Sequence, residues 1–532
     1  MGGERCFRGE PGALFPVEGF FGRGTLALDA FVWYTEGSEC RGGFRVASQN
    51  RTFKTTLAVT MVILLSKLFG FARDVISAGY FGTGMERDAY SSAYTLFYIP
   101  VLLFNSCITS TVVPLYVQAR NKHSRRLADR FASNCVNIFA LLALGVALLM
   151  MALAGPLVRI TFGGFDQQKQ MLTAQLTQIM LPSLSFVVVS IVLSSVLNAN
   201  ERYLSAQLTG FPLTVAVIIA TVGFSRQYGI WAVAWGVFAA GVLQMLILLP
   251  FANRTMGYSF RLQFNDPQFK RMLVLAVPAI LSMAVNELNH IIDKSICSYL
   301  NPGDPSAMDY AYRLITFATG VLAVPITTVM FSRLSMHATQ GDQKGALGIL
   351  NQSVEALTII LLPVTLIGCV LATDVIKLAY MHGSFGEDSL RVTSGVFLFY
   401  LLGIWGFGLR DMYNRAFHAM QDTRTPMLVA CLTVALNVGL NLTLSRVMGV
   451  NGLALATTIS CMVGAVVLAV MLRKRLGHIG FRKTALELGK GWVLLRLAGI
   501  GCASLLIYVG ALVTLRVEQL AFVKGLLLRR RS

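Results

Sequence analysis

Residues 57–114 read LAVTMVILLSKLFGFARDVISAGYFGTGMERDAYSSAYTLFYIPVLLFNSCITSTVVP, two long apolar segments joined by a short polar turn. Each segment has at least about 20 residues, enough for an α-helix to cross the roughly 30 Å hydrocarbon core of a bilayer. The first segment carries Lys67, Arg73 and Asp74, and charges inside a membrane span are costly unless they face water or a partner. The stretch therefore predicts a pair of membrane helices whose charged side chains have a function.

The rest of the chain has the same character. Its 532 residues are 55% hydrophobic and 13% charged, with a mean hydropathy of +0.64, which excludes an ordinary soluble surface. The formal net charge of +19 comes from short loops between apolar runs, so it indicates membrane topology and argues against nucleic-acid binding. The nine cysteines show no metal-ligand spacing. We predict an all-α polytopic membrane protein, because barrel strands would not give such long apolar runs.

Apolar segments follow one another from Thr55 onward. We place thirteen membrane helices at 57–80, 88–118, 132–158, 171–197, 204–225, 229–251, 272–299, 307–331, 348–372, 390–417, 427–446, 450–472 and 493–515. The connections after the second, sixth and twelfth helices are rich in Lys and Arg, whereas the one at 301–306 has none. Because short cytoplasmic loops carry the excess of basic residues, this pattern predicts a cytoplasmic N-terminus.

An internal repeat divides the chain. The segment Ala93-Tyr94-Thr95-Leu96 recurs in the second half as Ala311-Tyr312-Arg313-Leu314, and Gly229 recurs as Gly449 at nearly the same offset. A repeat of six helices gives both halves the same orientation, related by an axis along the membrane normal. Two such lobes facing each other across a cleft are the architecture of an alternating-access transporter.

The predicted domains follow from this repeat. They are a tail at 1–54, an N-terminal six-helix lobe at 55–253, a C-terminal six-helix lobe at 254–475, and a thirteenth helix with a truncated tail at 476–532. The tail at 1–54 lacks the order of segments of a signal peptide. We interpret it either as a disordered cytoplasmic tail or as upstream sequence included by a misplaced start.

Three basic side chains are candidates for a site between the lobes. Lys67 lies near the middle of its helix, and Arg313 has no basic counterpart in the first half, where Thr95 occupies its place. Together with Arg73 they predict a cationic site for an anionic, phosphate-bearing substrate, because guanidinium offers a planar fork to phosphate oxygens. The alternative is that Arg73, Asp74 and Arg313 lie at helix ends and reach towards the interface.

Polar side chains on several other helices form a second candidate set. Asn437 and Asn441 share a helix face at i, i+4, and Thr457 lies on the next helix. Such oxygen ligands predict a site for a hard monovalent cation such as Na⁺, with interhelical hydrogen bonds as the alternative. Asp293 precedes Lys294 directly, so local charge compensation is one interpretation of that pair.

The remaining polar groups give weaker signals. Asp88 and Asp309 each precede an Ala-Tyr motif, which also fits helix capping. We interpret His290 and His418 as hydrogen-bonding groups rather than proton relays. Because the sequence has no P-loop, nucleophile elbow or zinc motif, we predict a transporter and not an enzyme.

Several motifs resemble one known family. The segments Ser66-Lys67-Leu68-Phe69-Gly70-Phe71-Ala72-Arg73-Asp74, Phe81-Gly82-Thr83-Gly84, Asp88-Ala89-Tyr90 and Val113-Pro114 are similar to the N-terminal signature of the bacterial MurJ/MviN lipid II flippases, in the multidrug/oligosaccharidyl-lipid/polysaccharide exporter superfamily. Segments 311–314, 418–426 and 452–457 resemble later family motifs. The resemblance implies a plasma-membrane flippase that moves lipid II, the undecaprenyl-pyrophosphate-linked peptidoglycan precursor, from the inner to the outer leaflet by alternating access for cell-wall biosynthesis and cell shape.

The resemblance also implies site residues and partners. The substrate-binding residues would be Lys67, Arg73, Asp88 and Arg313, and a Na⁺ site would fall on Asp293, Asn437, Asn441 and Thr457. Na⁺ as coupling ion is then the one implied cofactor, and the lipid bilayer and the cell-wall synthesis machinery are implied partners.

Three departures from the family pattern leave other functions open. Asn441 stands where an acid is expected, Val101-Leu102-Leu103-Phe104 replaces a basic pair, and a fourteenth helix is absent or broken after Val517. The alternatives are a flippase for a related polyprenyl-linked polysaccharide, a cation-coupled multidrug exporter, and a non-transporting cell-wall scaffold.

Overall fold

The computed structural model describes residues 43–477 except His123 and Arg261, with side chains from Met61 onward except seven between 278 and 286. The chain forms two compact units, 1–57 and 58–532, and all side chains discussed below belong to the second. The predicted tail at 1–54 lies outside the described residues up to residue 42, and so does the predicted thirteenth helix at 493–515.

The described residues form 18 α-helices and no strand. In chain order they are α1 Gly43–Phe81, α2 Met85–Lys122, α3 Arg125–Ala152, α4 Ala154–Thr161, α5 Gln167–Met180, α6 Ser183–Ala199, α7 Tyr203–Gln207, α8 Gly210–Tyr228, α9 Ile230–Thr255, α10 Pro267–Cys297, α11 Asp304–Leu322, α12 Val324–Thr339, α13 Gln343–Val370, α14 Ala372–Tyr380, α15 Glu387–Leu401, α16 Ile404–Ala419, α17 Arg424–Met448 and α18 Val450–Leu476.

Most of the predicted membrane helices meet the requirements for a span. By length and composition, seven segments and three bent pairs are long and apolar enough to cross a bilayer, and one of the seven, Tyr203–Tyr228, comprises α7 and α8. The predicted first and seventh spans coincide with α1 and α10, continuous helices of 39 and 31 residues. At about 1.5 Å per residue each is long enough to cross. The all-α polytopic fold predicted from the sequence is confirmed.

The bent pairs have local causes. The α5–α6 and α15–α16 pairs bend by 46° and 47°, and α11–α12 bends by 47°. Pro182 lies at the first break, Gly403 at the second, and a proline opens α12 after the third. Proline cannot continue the i→i−4 ladder and glycine is a weak helix former, so the chain turns at these points.

The two halves repeat the same order of helices. A 28-residue helix followed by a short one occurs at α3–α4 and again at α13–α14. Gly229 and Gly449 join their helix pairs with φ of 55° and 59°, and the only described non-glycine residues at positive φ, Glu201 and Gln421, are separated by the same offset as these two glycines. Because positive φ is costly for a side chain, its recurrence marks a repeated local structure. The symmetry axis and the exact lobe boundaries stay predictions.

The helix α10 packs with both halves. Phe269, Met272 and Ala276, in its first part, lie in the same apolar core as α2, α3 and α6. Cys297, at its end, packs in a second core with Tyr310 and the helices α14 and α15. The predicted boundary at 253/254 assigns α10 to the C-terminal lobe, but its packing links it to both.

Candidate functional site

The three basic residues predicted to form a cationic site line one cavity of about 180 Å³. Lys67 and Arg73 come from α1 and Arg313 from α11, so the cavity lies between the two halves of the repeat. The other lining residues are Gly70, Phe71, Asp74, Thr316 and Phe317. The structure thus brings together residues that are far apart in the sequence.

Asp74 joins the two arginines. Arg73 donates to Asp74 Oδ1 through Nε at 3.0 Å and through Nη2 at 2.8 Å, and Arg313 Nε lies 3.7 Å from Asp74 Oδ2. The Arg73 side chain is 13% exposed and that of Arg313 is 44% exposed. Arg73 and Arg313 therefore share one carboxylate in a cavity between the halves. The alternative that they reach towards the membrane interface stays a prediction. Arg313 is the more accessible donor.

The cavity carries an excess of positive charge. Three cationic side chains and one carboxylate line it, which leaves two positive charges when all are ionised. A Cβ atom at Gly320 would lie only 3.1 Å from Lys67 Nζ, so the absence of a side chain there lets Lys67 lie against α11. The lining groups therefore suit a ligand with two negative charges.

Asp88 is not part of this cavity. It is fully buried, and Lys169 Nζ lies 2.6 Å from its Oδ2. Its carboxylate also accepts hydrogen bonds from the backbone amides of Gly303, at 2.7 Å, and Ser306, at 3.0 Å, and from the Ser306 hydroxyl. Asp88 therefore caps the N-terminus of α11 and not that of its own helix. In this conformation both its oxygens are occupied by protein donors.

Lys294 makes a second contact between the halves that the sequence did not reveal. Its Nζ donates to Thr95 Oγ1 at 2.7 Å, Ser91 Oγ at 2.9 Å and Asp309 at 3.0 Å. Ser91 also donates to Asp309. Asp309 and Lys294 therefore form an ion pair with each other. The interpretation of Asp309 as a helix cap is wrong, and so is that of Lys294 as the partner of Asp293.

Further hydrogen bonds join the halves at the same end of the helices. The Thr83 and Ser389 hydroxyl oxygens are 2.6 Å apart, and Ser384 N donates to Gly79 O at 2.7 Å. Tyr310 OH donates to the Gly82 carbonyl at 3.2 Å. These contacts lie where α1 ends and where α2, α11 and α15 begin, so they close one end of the space between the halves.

Arg87 stabilises the same region. It is buried, and its guanidinium lies 5.0 Å from the ring centroids of Tyr90 and Tyr310. Tyr90 is on α2 and Tyr310 on α11, so a cation–π contact spans the two halves.

The four residues predicted to hold a cation meet around Asp293. Asn441 Nδ2 donates to Asp293 Oδ1 at 2.6 Å, and Thr457 Oγ1 lies 3.4 Å from Asp293 Oδ2. The Asn437 amide contacts Asn441 Nδ2 at 2.7 Å and Thr457 Oγ1 at 3.3 Å. Asn441 Oδ1 is buried and has no hydrogen-bond partner in the described part of the chain. A carboxylate, amides and a hydroxyl are ligands that a hard cation prefers, so these residues fit Na⁺.

Comparison with known proteins identifies the family. The family model described as "Lipid II flippase MurJ" matches residues 77–523. A probable lipid II flippase MurJ from Rhizobium meliloti is 30% identical over 427 residues, covering 78% of this chain and 79% of that protein. A probable lipid II flippase MurJ from Thermotoga maritima is 27% identical over 450 residues, covering 84% and 91%.

Solved structures agree with this assignment. A lipid II flippase MurJ in an inward closed conformation has a TM-score of 0.71 and 25% identity, covering 86% of this chain and 99% of that one. An inward-facing multidrug resistance MATE transporter of the MOP superfamily has a TM-score of 0.69 at 13% identity, covering 80% and 99%, and shares the fold. Given the extent of the family match and the agreement of the fold, the chain belongs to the MurJ family of lipid II flippases.

Proposed function

We propose that this protein is a lipid II flippase that moves the undecaprenyl-pyrophosphate-linked precursor from the inner to the outer leaflet by alternating access. The observation that carries the proposal is the cavity that Lys67, Arg73 and Arg313 line between the two halves. A pyrophosphate diester has two negative charges, which match the excess of two positive charges on the cavity wall. Arg313 would bind the phosphate oxygens through its fork, and Lys67 would act as a compact point charge.

The contacts between the halves suggest how the cycle runs. If the N-terminus is cytoplasmic, as the loop charges predict, the end joined by Asp88 and Lys294 faces the outside. The headgroup then enters from the cytoplasmic side, and its release requires the contacts at the outer end to separate. The lobes would rock against each other around the cationic cavity, as in other transporters built from repeats. No bond of the substrate is made or broken in this cycle.

The composition of the cavity disfavours the multidrug exporter. A site for cationic drugs needs acids, whereas the charged residues here are three bases and one acid that is already bound by Arg73. The bilayer is the medium of the proposed reaction. The cell-wall synthesis machinery is a proposed partner, because it consumes the flipped precursor.

Expression of this chain in cells depleted of their own flippase tests the function. We expect restored growth and restored access of an outer-leaflet probe to labelled lipid II. A chain that reaches the membrane in normal amount, yet leaves lipid II inaccessible, would contradict transport. Growth without restored accessibility would favour a scaffold.

We also propose that Na⁺ is the coupling ion and that Asp293, Asn437, Asn441 and Thr457 hold it. A bound cation would compensate the Asp293 charge, which has no basic partner in the described residues. It would also be coordinated by Asn441 Oδ1, which has no hydrogen-bond partner there. These residues connect α10 with α17 and α18, and α10 packs against both halves. Occupancy of the site would therefore affect the helix that links the lobes.

Replacing Asp293 with asparagine should remove the Na⁺ dependence of flipping. We expect the wild-type protein to unfold at a higher temperature in Na⁺ than in an equal concentration of N-methyl-D-glucamine, and the variant to show no difference. Asp374→Asn, an exposed aspartate in the same half, is the matched control and should behave as wild type. An undiminished Na⁺ response in the Asp293 variant would exclude this site.

A further inference from the structure

A second polar cavity lies inside the C-terminal half of the repeat. Its volume is about 220 Å³, and it is bounded by α10, α11, α16, α17 and α18. Its wall consists mainly of polar and aromatic side chains from these five helices, namely Asn289, His290, Tyr312, Phe407, Arg410, Thr433, Val434, Asn437, Thr457, Ser460 and Cys461. The cavity is distinct from the one lined by Lys67, Arg73 and Arg313, since the two share no residue.

Arg410 is the one charged residue of this wall, and it lacks an anionic partner. Three other bases within the helical bundle each have one: Arg73 binds Asp74, Lys169 binds Asp88 and Lys294 binds Asp309. No described residue forms an ion pair or hydrogen bond with the Arg410 guanidinium. Because arginine stays protonated in proteins, it cannot avoid the cost of an unpaired charge by losing its proton.

The acids on neighbouring helices do not compensate this charge. Asp293 is hydrogen-bonded to Asn441 and Thr457, and Asp309 to Lys294 and Ser91. Glu287, one turn before His290 on α10, forms no ion pair in the described part of the chain. The stem of Arg410 packs against α18 at Gly464, where a Cβ atom would lie 3.5 Å from its Cδ, and this contact fixes the base of the side chain.

Two other hydrogen-bond donors of the cavity wall also lack an acceptor among the described residues. Neither the Tyr312 hydroxyl nor the His290 ring makes a hydrogen bond in the described part of the chain, although their rings contact each other at 5.3 Å. Thr433 and Ser460, in contrast, donate to the backbone carbonyls of Ala430 and Ala456. A guanidinium, a phenol and an imidazole thus offer N–H and O–H groups around one cavity.

We propose that this cavity binds one small anionic group, either a halide-sized ion or a single carboxylate, with Arg410 as its main ligand. At about 30 Å³ per water, the space holds roughly seven waters. It therefore accommodates a small anion with part of its hydration. The anion has two sources, free halide or a carboxylate of the stem peptide of the substrate, and the second rests on the proposed lipid II transport.

The position of the site links it to the proposed cation site. Asn437 and Thr457 line the cavity and also belong to the hydrogen-bonded set around Asp293. An anion at Arg410 and a cation at Asp293 would lie on two sides of the same wall. Opposite charges attract through a low-dielectric protein interior, so we expect each to strengthen the binding of the other.

Halide binding is measured on the purified full-length protein in nanodiscs. The unfolding temperature in NaCl or NaBr is compared with that in the sodium salt of a bulky sulfonate buffer such as HEPES, which carries no carboxylate, at the same Na⁺ concentration. We expect the halides to raise the unfolding temperature of the wild type and bromide to bind with a millimolar Kd. Arg410→Gln should weaken bromide binding at least tenfold. The control is Arg415→Gln on the same helix, whose arginine pairs with the partly exposed Asp411, and it should respond as wild type.

The second arm compares lipid II with free stem-peptide carboxylates and lipid II with the same groups amidated. Tighter binding of the free acid that is lost in Arg410→Gln supports the substrate as the source, whereas a halide effect lost in that variant supports the free ion. Absence of both effects in the wild type overturns the proposal, and so does an equal response in wild type and Arg410→Gln. If Arg410→Gln does not fold, Arg410→Lys and Tyr312→Phe take its place. Halide binding does not require lipid II flipping. A negative result in the halide test therefore contradicts the anion site alone, whereas a negative result in the growth test contradicts the proposed function.

Discussion

Replacing Arg313 with alanine is expected to abolish growth of flippase-depleted cells and to lower the rate of lipid II flipping roughly 10- to 100-fold. Arg313 is the more exposed of the two cavity arginines, and its contact with Asp74, at 3.7 Å, is longer than that of Arg73. It can therefore turn to a phosphate without losing a close ion pair. A hydrogen bond to a charged group contributes about 1.5–3 kcal/mol, and about 1.4 kcal/mol corresponds to a factor of ten.

Two further variants separate charge from geometry. Arg313→Lys keeps the charge but loses the fork, so we expect partial flipping and slow growth. Arg391→Ala removes an exposed arginine from α15, in the same half, and should leave both readouts unchanged. Normal lipid II accessibility with Arg313→Ala would contradict a phosphate-binding role for this cavity.

The sequence was sufficient to predict the cationic cavity, for a physical reason. Lys67, Arg73 and Arg313 can be recognised in the sequence because a charge inside an apolar segment needs compensation. The repeat also shows that the position of Arg313 is not basic in the first half, so the shared fold does not require an arginine there. The all-α fold was predictable for a similar reason, since long apolar runs leave helices as the only structure that satisfies every backbone group.

The contacts between the halves were not predictable in the same way. Asp88 binds Lys169, on a helix further along the same half, and the N-terminus of α11, in the other half of the repeat. Helical periodicity identifies neighbours within one helix, but it does not show which helix lies opposite. The sequence therefore indicated Asp88 but not its partner, and it suggested Asp293 rather than Asp309 as the partner of Lys294. It did not indicate that Arg410 lacks an anionic partner among the described residues.

Replacing Asp88 with asparagine is expected to weaken the closed end of the protein more than any other single change there. Lys169 would remain buried, with a side chain 6% exposed and no carboxylate beside it. Removing one partner of a buried ion pair typically costs about 3–5 kcal/mol. The asparagine would also place an NH₂ group among the donors of Gly303, Ser306 and Lys169. We expect a marked fall in the unfolding temperature of the purified protein.

A cross-link reports whether the closed end itself is affected. The hydroxyl oxygens of Thr83 and Ser389 are 2.6 Å apart, so a Thr83→Cys, Ser389→Cys pair should form a disulfide readily with a mild oxidant. Adding Asp88→Asn should reduce the yield, because the halves would separate more often. Asp411→Asn is the control: its partly exposed i, i+4 pair with Arg415 is worth at most about 1 kcal/mol, so neither the unfolding temperature nor the cross-link should change much.

A double-mutant cycle with Lys169→Met distinguishes the ion pair from the capping of α11. Lys169→Met alone leaves the Asp88 carboxylate with the Gly303 and Ser306 donors, so it should cost less than Asp88→Asn. The double variant has no uncompensated lysine, and its cost should fall below the sum of the single costs. If the two costs simply add, the charge of Lys169 is irrelevant and Asp88 acts only through its capping bonds to α11. A coupling of more than about 1 kcal/mol would instead show that the Lys169 ion pair, which joins α5 to α2 within one half, helps to hold the Asp88 carboxylate against α11.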